Sequence, residues 1–179
     1  MIKSISHKIA EEIYENVEDA SPVSVLEYAL HIVLNYVVVV IATILFCSFT
    51  GHVWEAIVAC VVFPVIRQFS GGLHLKTSLR CNVFSVCMML CAVYFSLLFS
   101  FFYTGLIIMI VTLLVIYIHA PNNIRGSLHP KYYSLLNWIA IFIISTNFVI
   151  QSTLLVSIFF IQSLLITTTA NFIVNKYDL

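Results

Sequence analysis

The sequence predicts an all-α, polytopic integral membrane helix bundle of about six membrane segments, preceded by an amphipathic interfacial helix. Three observations carry this. Hydrophobic residues fill 61% of the 179 positions and charged residues only 9%, whereas a soluble domain carries about 25% charged residues. Mean hydropathy is +1.06. Long apolar runs alternate with short polar islands, and every Lys and Arg lies outside those runs. Net charge is zero, so no nucleic-acid partner is expected.

The elements follow in chain order. Residues 2–18 place Ile2, Ile5, Ile9, Ile13 and Val17 at helical spacing, with Lys3, Lys8, Glu11, Glu12, Glu15 and Glu18 between them. Such a helix is too polar to span and lies in the headgroup region on its Ile stripe. Docking on a partner helix is the alternative. Behind Met1–Lys8 comes an acidic stretch and no apolar h-region, so internal spans direct insertion.

We divide the chain at residue 20: 1–20 is the interfacial helix and 21–179 a single transmembrane domain. Ser21-Pro22 reads as N-cap and first helical position. A first span covers about 27–49, and Gly51-His52 turns the chain. A short second span covers about 53–66, with Pro64 kinking or stopping it. No charge occurs from Asn82 to Ile124, enough for a helical hairpin turning near Tyr103-Thr104-Gly105. The last two spans cover about 135–150 and 153–174.

Sidedness follows from charge. With six spans, the N-terminus, the loops at about 67–80 and 120–134, and the C-terminus share one side. Those segments hold all eight basic residues: Lys3, Lys8, Arg67, Lys76, Arg80, Arg125, Lys131 and Lys176. The positive-inside rule places them in the cytoplasm. The second and fifth runs are shorter than the roughly 17–25 residues a span needs, which allows partly re-entrant segments. A short-span bundle of this size also fits a homodimer in the bilayer.

The polar island Arg67-Gln-Phe-Ser-Gly-Gly-Leu-His-Leu-Lys-Thr-Ser-Leu-Arg-Cys81 is the candidate site. It joins a base (His74), a thiol (Cys81) and a Gly71-Gly72 pair. A thiol becomes a strong nucleophile as thiolate, which a nearby His⁺ or a helix N-terminus favours. His74 is suited to take the thiol proton and return it to a leaving amine. Gly71-Gly72 offers a sharp turn, close approach of a peptide, and N–H groups for an oxyanion. On one straight helix His74 and Cys81 would lie about 10 Å apart at a rise of about 1.5 Å per residue. A dyad therefore requires a helix break, placed near Thr77-Ser78, or closure around substrate.

Metal is not expected, because zinc needs three or four ligands and only one His and one Cys are local; no other cofactor is called for. Cys47, Cys60, Cys87 and Cys91 sit in apolar runs as small hydrophobes. No Asp or Glu occurs in 56–177. A third member of the dyad would then be Gln68, a backbone carbonyl, a carboxylate from outside that stretch, or absent.

The pattern Arg67-(four residues)-Gly72-Leu73-His74-(six residues)-Cys81 resembles the signature of the accessory gene regulator protein B (AgrB) family. The amphipathic start, the apolar spans and Ala120-Pro121 opening a basic loop fit the family layout across essentially the whole chain. The resemblance implies a bacterial cell-membrane cysteine endopeptidase that cuts an AgrD-like precursor peptide near its C-terminal side. Cys81 would hold the upstream fragment as a thioester, from which a thiolactone or lactone quorum-sensing peptide cyclises. Cys81 is then the nucleophile, His74 its base, and Arg67 and Gly72 supporting positions. Lys76, Arg80, Arg125 and Lys131 would attract the acidic precursor tail, or merely satisfy the charge bias. The loop from Ala120 to Tyr133 holds fewer Lys and Glu than the family layout leads one to expect. The competing reading is a non-enzymatic membrane transporter or assembly partner.

Overall fold

The computed structural model describes residues 2–73, 75, 77–122, 129–169, 172 and 176. Among them the chain is helical throughout: α1 Ile2–Asn16, α2 Val23–Ser48, α3 Val53–Ser70, α4 Ser78–Ser96, α5 Leu106–His119, α6 Tyr133–Ser145, α7 Asn147–Ile150 and α8 Thr153–Leu165. A π-helical turn, Phe101–Gly105, leads into α5.

Five helical stretches are long and apolar enough to cross a membrane: α2, α3, α4, Phe101–His119 and Tyr133–Ile150. The sixth apolar segment is α8, with thirteen residues. At about 1.5 Å per residue it reaches about 20 Å, short of the roughly 30 Å hydrocarbon core. It is nevertheless the centre of the molecule. Val156, Ile158, Phe159 and Gln162 are fully or almost fully buried, and α8 packs against α3, α4 and α5. Large apolar side chains elsewhere, such as Phe49, Trp54, Leu98, Trp138 and Val149, point outward. That is the expected arrangement where lipid is the surrounding solvent.

α1 packs along α2. Small residues make the contact: Ser6 and Ala10 are fully buried, while Ile5 and Val17 stay exposed. The Ile stripe is thus split between a helix partner and the outside. His7 adds a polar tie, its Nδ1 lying 2.9 Å from Glu27 on α2 and its Nε2 3.2 Å from Glu11.

Four expected boundaries move. Ser21 does not cap α2. Pro22 holds that position in an extended conformation (φ −51°, ψ 144°) with no side-chain cap, and its carbonyl accepts from the Val25 and Leu26 N–H groups.

Pro64 neither stops nor shortens α3, which runs on to Ser70. A proline inside a helix leaves the carbonyl four residues back without its N–H donor. That carbonyl belongs to Cys60, and the Tyr36 hydroxyl of α2 donates to it at 2.8 Å.

The hairpin turn lies at 97–100, where the Leu97 and Leu98 N–H groups bond to Tyr94 and Phe95 carbonyls. Tyr103-Thr104-Gly105 is wound instead into the π turn, its Gly105 N–H reaching the Ser100 carbonyl at 3.0 Å. Finally, of the run expected over 153–174, α8 covers Thr153–Leu165 and a turn follows it, while residues 170, 171, 173 and 174 lie outside the described residues.

The candidate active site at the α3–α4 connection

The helix break expected near Thr77-Ser78 is present. α3 ends at Ser70 and α4 begins at Ser78 with Thr77 as its N-cap. The Thr77 Oγ1 accepts from the Arg80 N–H at 3.4 Å. Cys81 is the fourth residue of α4, and its N–H makes a helical bond to the Thr77 carbonyl at 3.0 Å. The thiol is half-buried, whereas Cys87 and Cys91 further along α4 are exposed and Cys47 and Cys60 are buried.

His74, Lys76 and Arg125 lie outside the described residues. Arg80 and Lys131 are exposed. Gln68 is exposed on α3. Among the described residues no three His, Cys, Asp or Glu side chains converge as a metal site would require.

The Gly-Gly pair makes the sharp turn its sequence suggests, but its N–H groups are taken up within the fold. Gly71 closes α3 with φ +79° and ψ −158°, in the region that favours glycine. Its N–H bonds to the Arg67 carbonyl at 2.9 Å, and the Gly72 N–H to the Asn122 carbonyl at 3.0 Å. Both N–H groups are therefore occupied within the fold, and neither is aimed at an oxyanion. The close approach is by Asn122 of the chain itself, not by a peptide. A Cβ on Gly71 would lie 1.8 Å from the Asn122 carbonyl oxygen.

Segment 70–73 is buried and held from three sides. Asn122 pairs with it as a parallel bridge, the Asn122 N–H returning to the Ser70 carbonyl at 3.1 Å. The Asn122 amide in turn donates to the Ile166 carbonyl at 2.8 Å. From α8, the Gln162 amide donates to the Ser70 hydroxyl at 2.8 Å and the Gly71 carbonyl at 2.6 Å. From α3, the Arg67 guanidinium donates to the Leu73 carbonyl. Arg67 also lines a cavity of about 160 Å³ with Asn35, Tyr36, Ser85 and Asn82, the residue that follows Cys81.

α2 braces the start of α4. His31 Nε2 lies 2.8 Å from the Ser78 hydroxyl, and the Asn82 amide donates to Asn35 at 2.8 Å. These residues are one turn apart on each helix, so two polar rungs fix α4 on both sides of Cys81.

Asn122 and Gln162 are absent from the candidate residues of the sequence reading. The signal for Gln162 was present: an amide within the apolar run 153–166 needs a partner where water is excluded. Which partner it takes is a matter of tertiary structure.

The family model described as Accessory gene regulator B, AgrB, matches residues 3–172, nearly the whole chain. No curated protein and no solved structure matches it. Proteins of that family serve quorum sensing by processing a propeptide of the AgrD type at the membrane. Its match runs from α1 through α8 and takes in the broken α3–α4 connection, so this chain belongs to the accessory gene regulator B family.

Proposed function

We propose that the chain is a membrane cysteine endopeptidase that cleaves an AgrD-like precursor and promotes its cyclisation, with Cys81 as nucleophile and His74 as base. The observation that carries this reading is the helix break. It places Cys81 in the first turn of α4, where the positive end of the helix dipole favours developing negative charge. It also ends α3 at Ser70, four residues before His74 in sequence, with the buried Gly71 as its C-cap.

In the proposed reaction the Cys81 sulfur attacks the carbonyl carbon of the scissile bond as His74 accepts the thiol proton. The C–N bond breaks, His74 returns the proton to the leaving amine, and the upstream fragment remains as a thioester. A Cys thiol or Ser hydroxyl of that fragment then attacks the thioester carbonyl. The ring closes, and the Cys81 thiolate leaves and regains its proton. Tethering favours this second attack over water, since effective molarities of about 10⁵ M or more are reached in well-oriented cases. We place the connection on the cytoplasmic side, because Lys3, Lys8, Arg67, Lys76, Arg80, Arg125 and Lys131 all fall, in sequence, before α2, around the α3–α4 connection or between α5 and α6.

The test is cleavage of the precursor in liposomes. Cys81→Ala should abolish both cleavage and cyclisation, while Cys87→Ala and Cys91→Ala retain them. Undiminished cleavage by the Cys81→Ala protein would refute the assignment.

A further inference from the structure

We infer that Gln162 is a positioning residue for the connection that carries His74, acting through the Gly71 carbonyl; this rests on the peptidase reading above. Gln162 is fully buried at the centre of the bundle, on a helix that packs against α3, α4 and α5. Its amide nitrogen reaches 91 residues back along the chain to the Gly71 carbonyl. That carbonyl lies at the C-cap of α3, three residues before His74 in sequence. The N–H side of the same short stretch is held by Asn122, so the two partners grip it from opposite faces.

The geometry sets function against stability. The Gln162 Oε1 is buried with no hydrogen-bond partner among the described residues, which is costly in an apolar core. A leucine would fill nearly the same volume without that cost. The Ser70 hydroxyl does not need Gln162, since it also donates to the Ile66 carbonyl at 3.0 Å. The Gly71 carbonyl depends on Gln162 far more, its other contact being the Ser70 hydroxyl at 3.4 Å. Removing the amide should therefore loosen the connection and leave the bundle folded.

The experiment uses the full chain in liposomes with a synthetic AgrD-like precursor. Gln162→Leu should lower kcat about 10- to 100-fold, the range expected when a catalytic group is displaced by about 1 Å. KM should change less than kcat, and Tm should fall by no more than a few degrees. Amide exchange should accelerate at residues 71–73 but not in α5. Ser70→Ala, which keeps the Gly71 contact, should retain near wild-type kcat. Gln162→Glu should recover part of its kcat as pH falls, because a protonated carboxyl regains one donor toward Gly71.

An unchanged kcat with unchanged exchange at 71–73 overturns the inference. So does an equal loss in Ser70→Ala, or a loss of kcat explained by global unfolding. Cys81→Ala is measured alongside. If it cleaves as wild type, the peptidase reading fails, and the exchange data alone decide whether Gln162 holds the connection.

Discussion

Gly71→Ala isolates the contact between the α3–α4 connection and Asn122. Two costs combine. At φ +79° and ψ −158°, a side chain adds backbone strain of about 1–3 kcal/mol. The new Cβ would also meet the Asn122 carbonyl oxygen at 1.8 Å, and ordinary contact requires a retreat of roughly 1.5 Å. That movement breaks the Gly72-to-Asn122 and Asn122-to-Ser70 hydrogen bonds, each contributing about 1 kcal/mol. The total is about 3–5 kcal/mol, which for a chain of this size lowers Tm by roughly 10 °C. Gly72→Ala is the control. Its Cβ would meet the Arg67 side chain at 3.3 Å, which can yield, so the cost should be about 1–2 kcal/mol. Thermal unfolding in micelles, with amide exchange at 71–73, measures both. Wild-type stability and exchange in Gly71→Ala, or a larger loss in Gly72→Ala, would refute the packing argument.

Other perturbations address the supports around the connection. Tyr36→Phe removes the donor to the Cys60 carbonyl and should destabilise by about 1–2 kcal/mol. In a Pro64→Ala background the helix regains its own donor, so a double-mutant cycle should show the Tyr36 effect shrinking toward zero. Asn82→Leu removes the donor to the Asn35 Oδ1 on α2; unfolding measurements should register about 0.5–2 kcal/mol, the range of hydrogen bonds between membrane helices. Glu27→Gln weakens the tie to His7. That pair is partly exposed, so unfolding should shift by less than about 1 kcal/mol, while protease sensitivity of α1 increases.

What could be read from the sequence depended on how local its cause was. A break near Thr77-Ser78 was one of the two ways the sequence left for His74 and Cys81 to meet, and its local cause is Thr77, a residue type that favours a helix start. As a stop signal Pro64 misled, for the opposite reason: its local effect is real, but Tyr36, on another helix, supplies the missing donor. Gly105 misled similarly, since its N–H closes a π turn on Ser100 where sequence suggested a loop. At the site, the Cys81 position and its helix start were legible. The occupation of the Gly72 N–H by Asn122 and of the Gly71 carbonyl by Gln162 was not, because those partners come from 50 and 91 residues away in the chain.

The central helix also sets an order of assembly. α8 follows α1 to α7 in the chain, yet it fills the middle of the bundle they form. The outer helices must enter the bilayer around a space not yet occupied, with α3, α4 and α5 lacking their common neighbour until α8 arrives. Gln162 and Ile166, which complete the grip on Gly71 and Asn122, come off the ribosome after α1 to α7. A partly synthesised chain would therefore hold Cys81 on a helix already inserted, while the connection before it is still unsecured. The late position of α8 acts as a timer, delaying a fully organised connection until synthesis has passed that point.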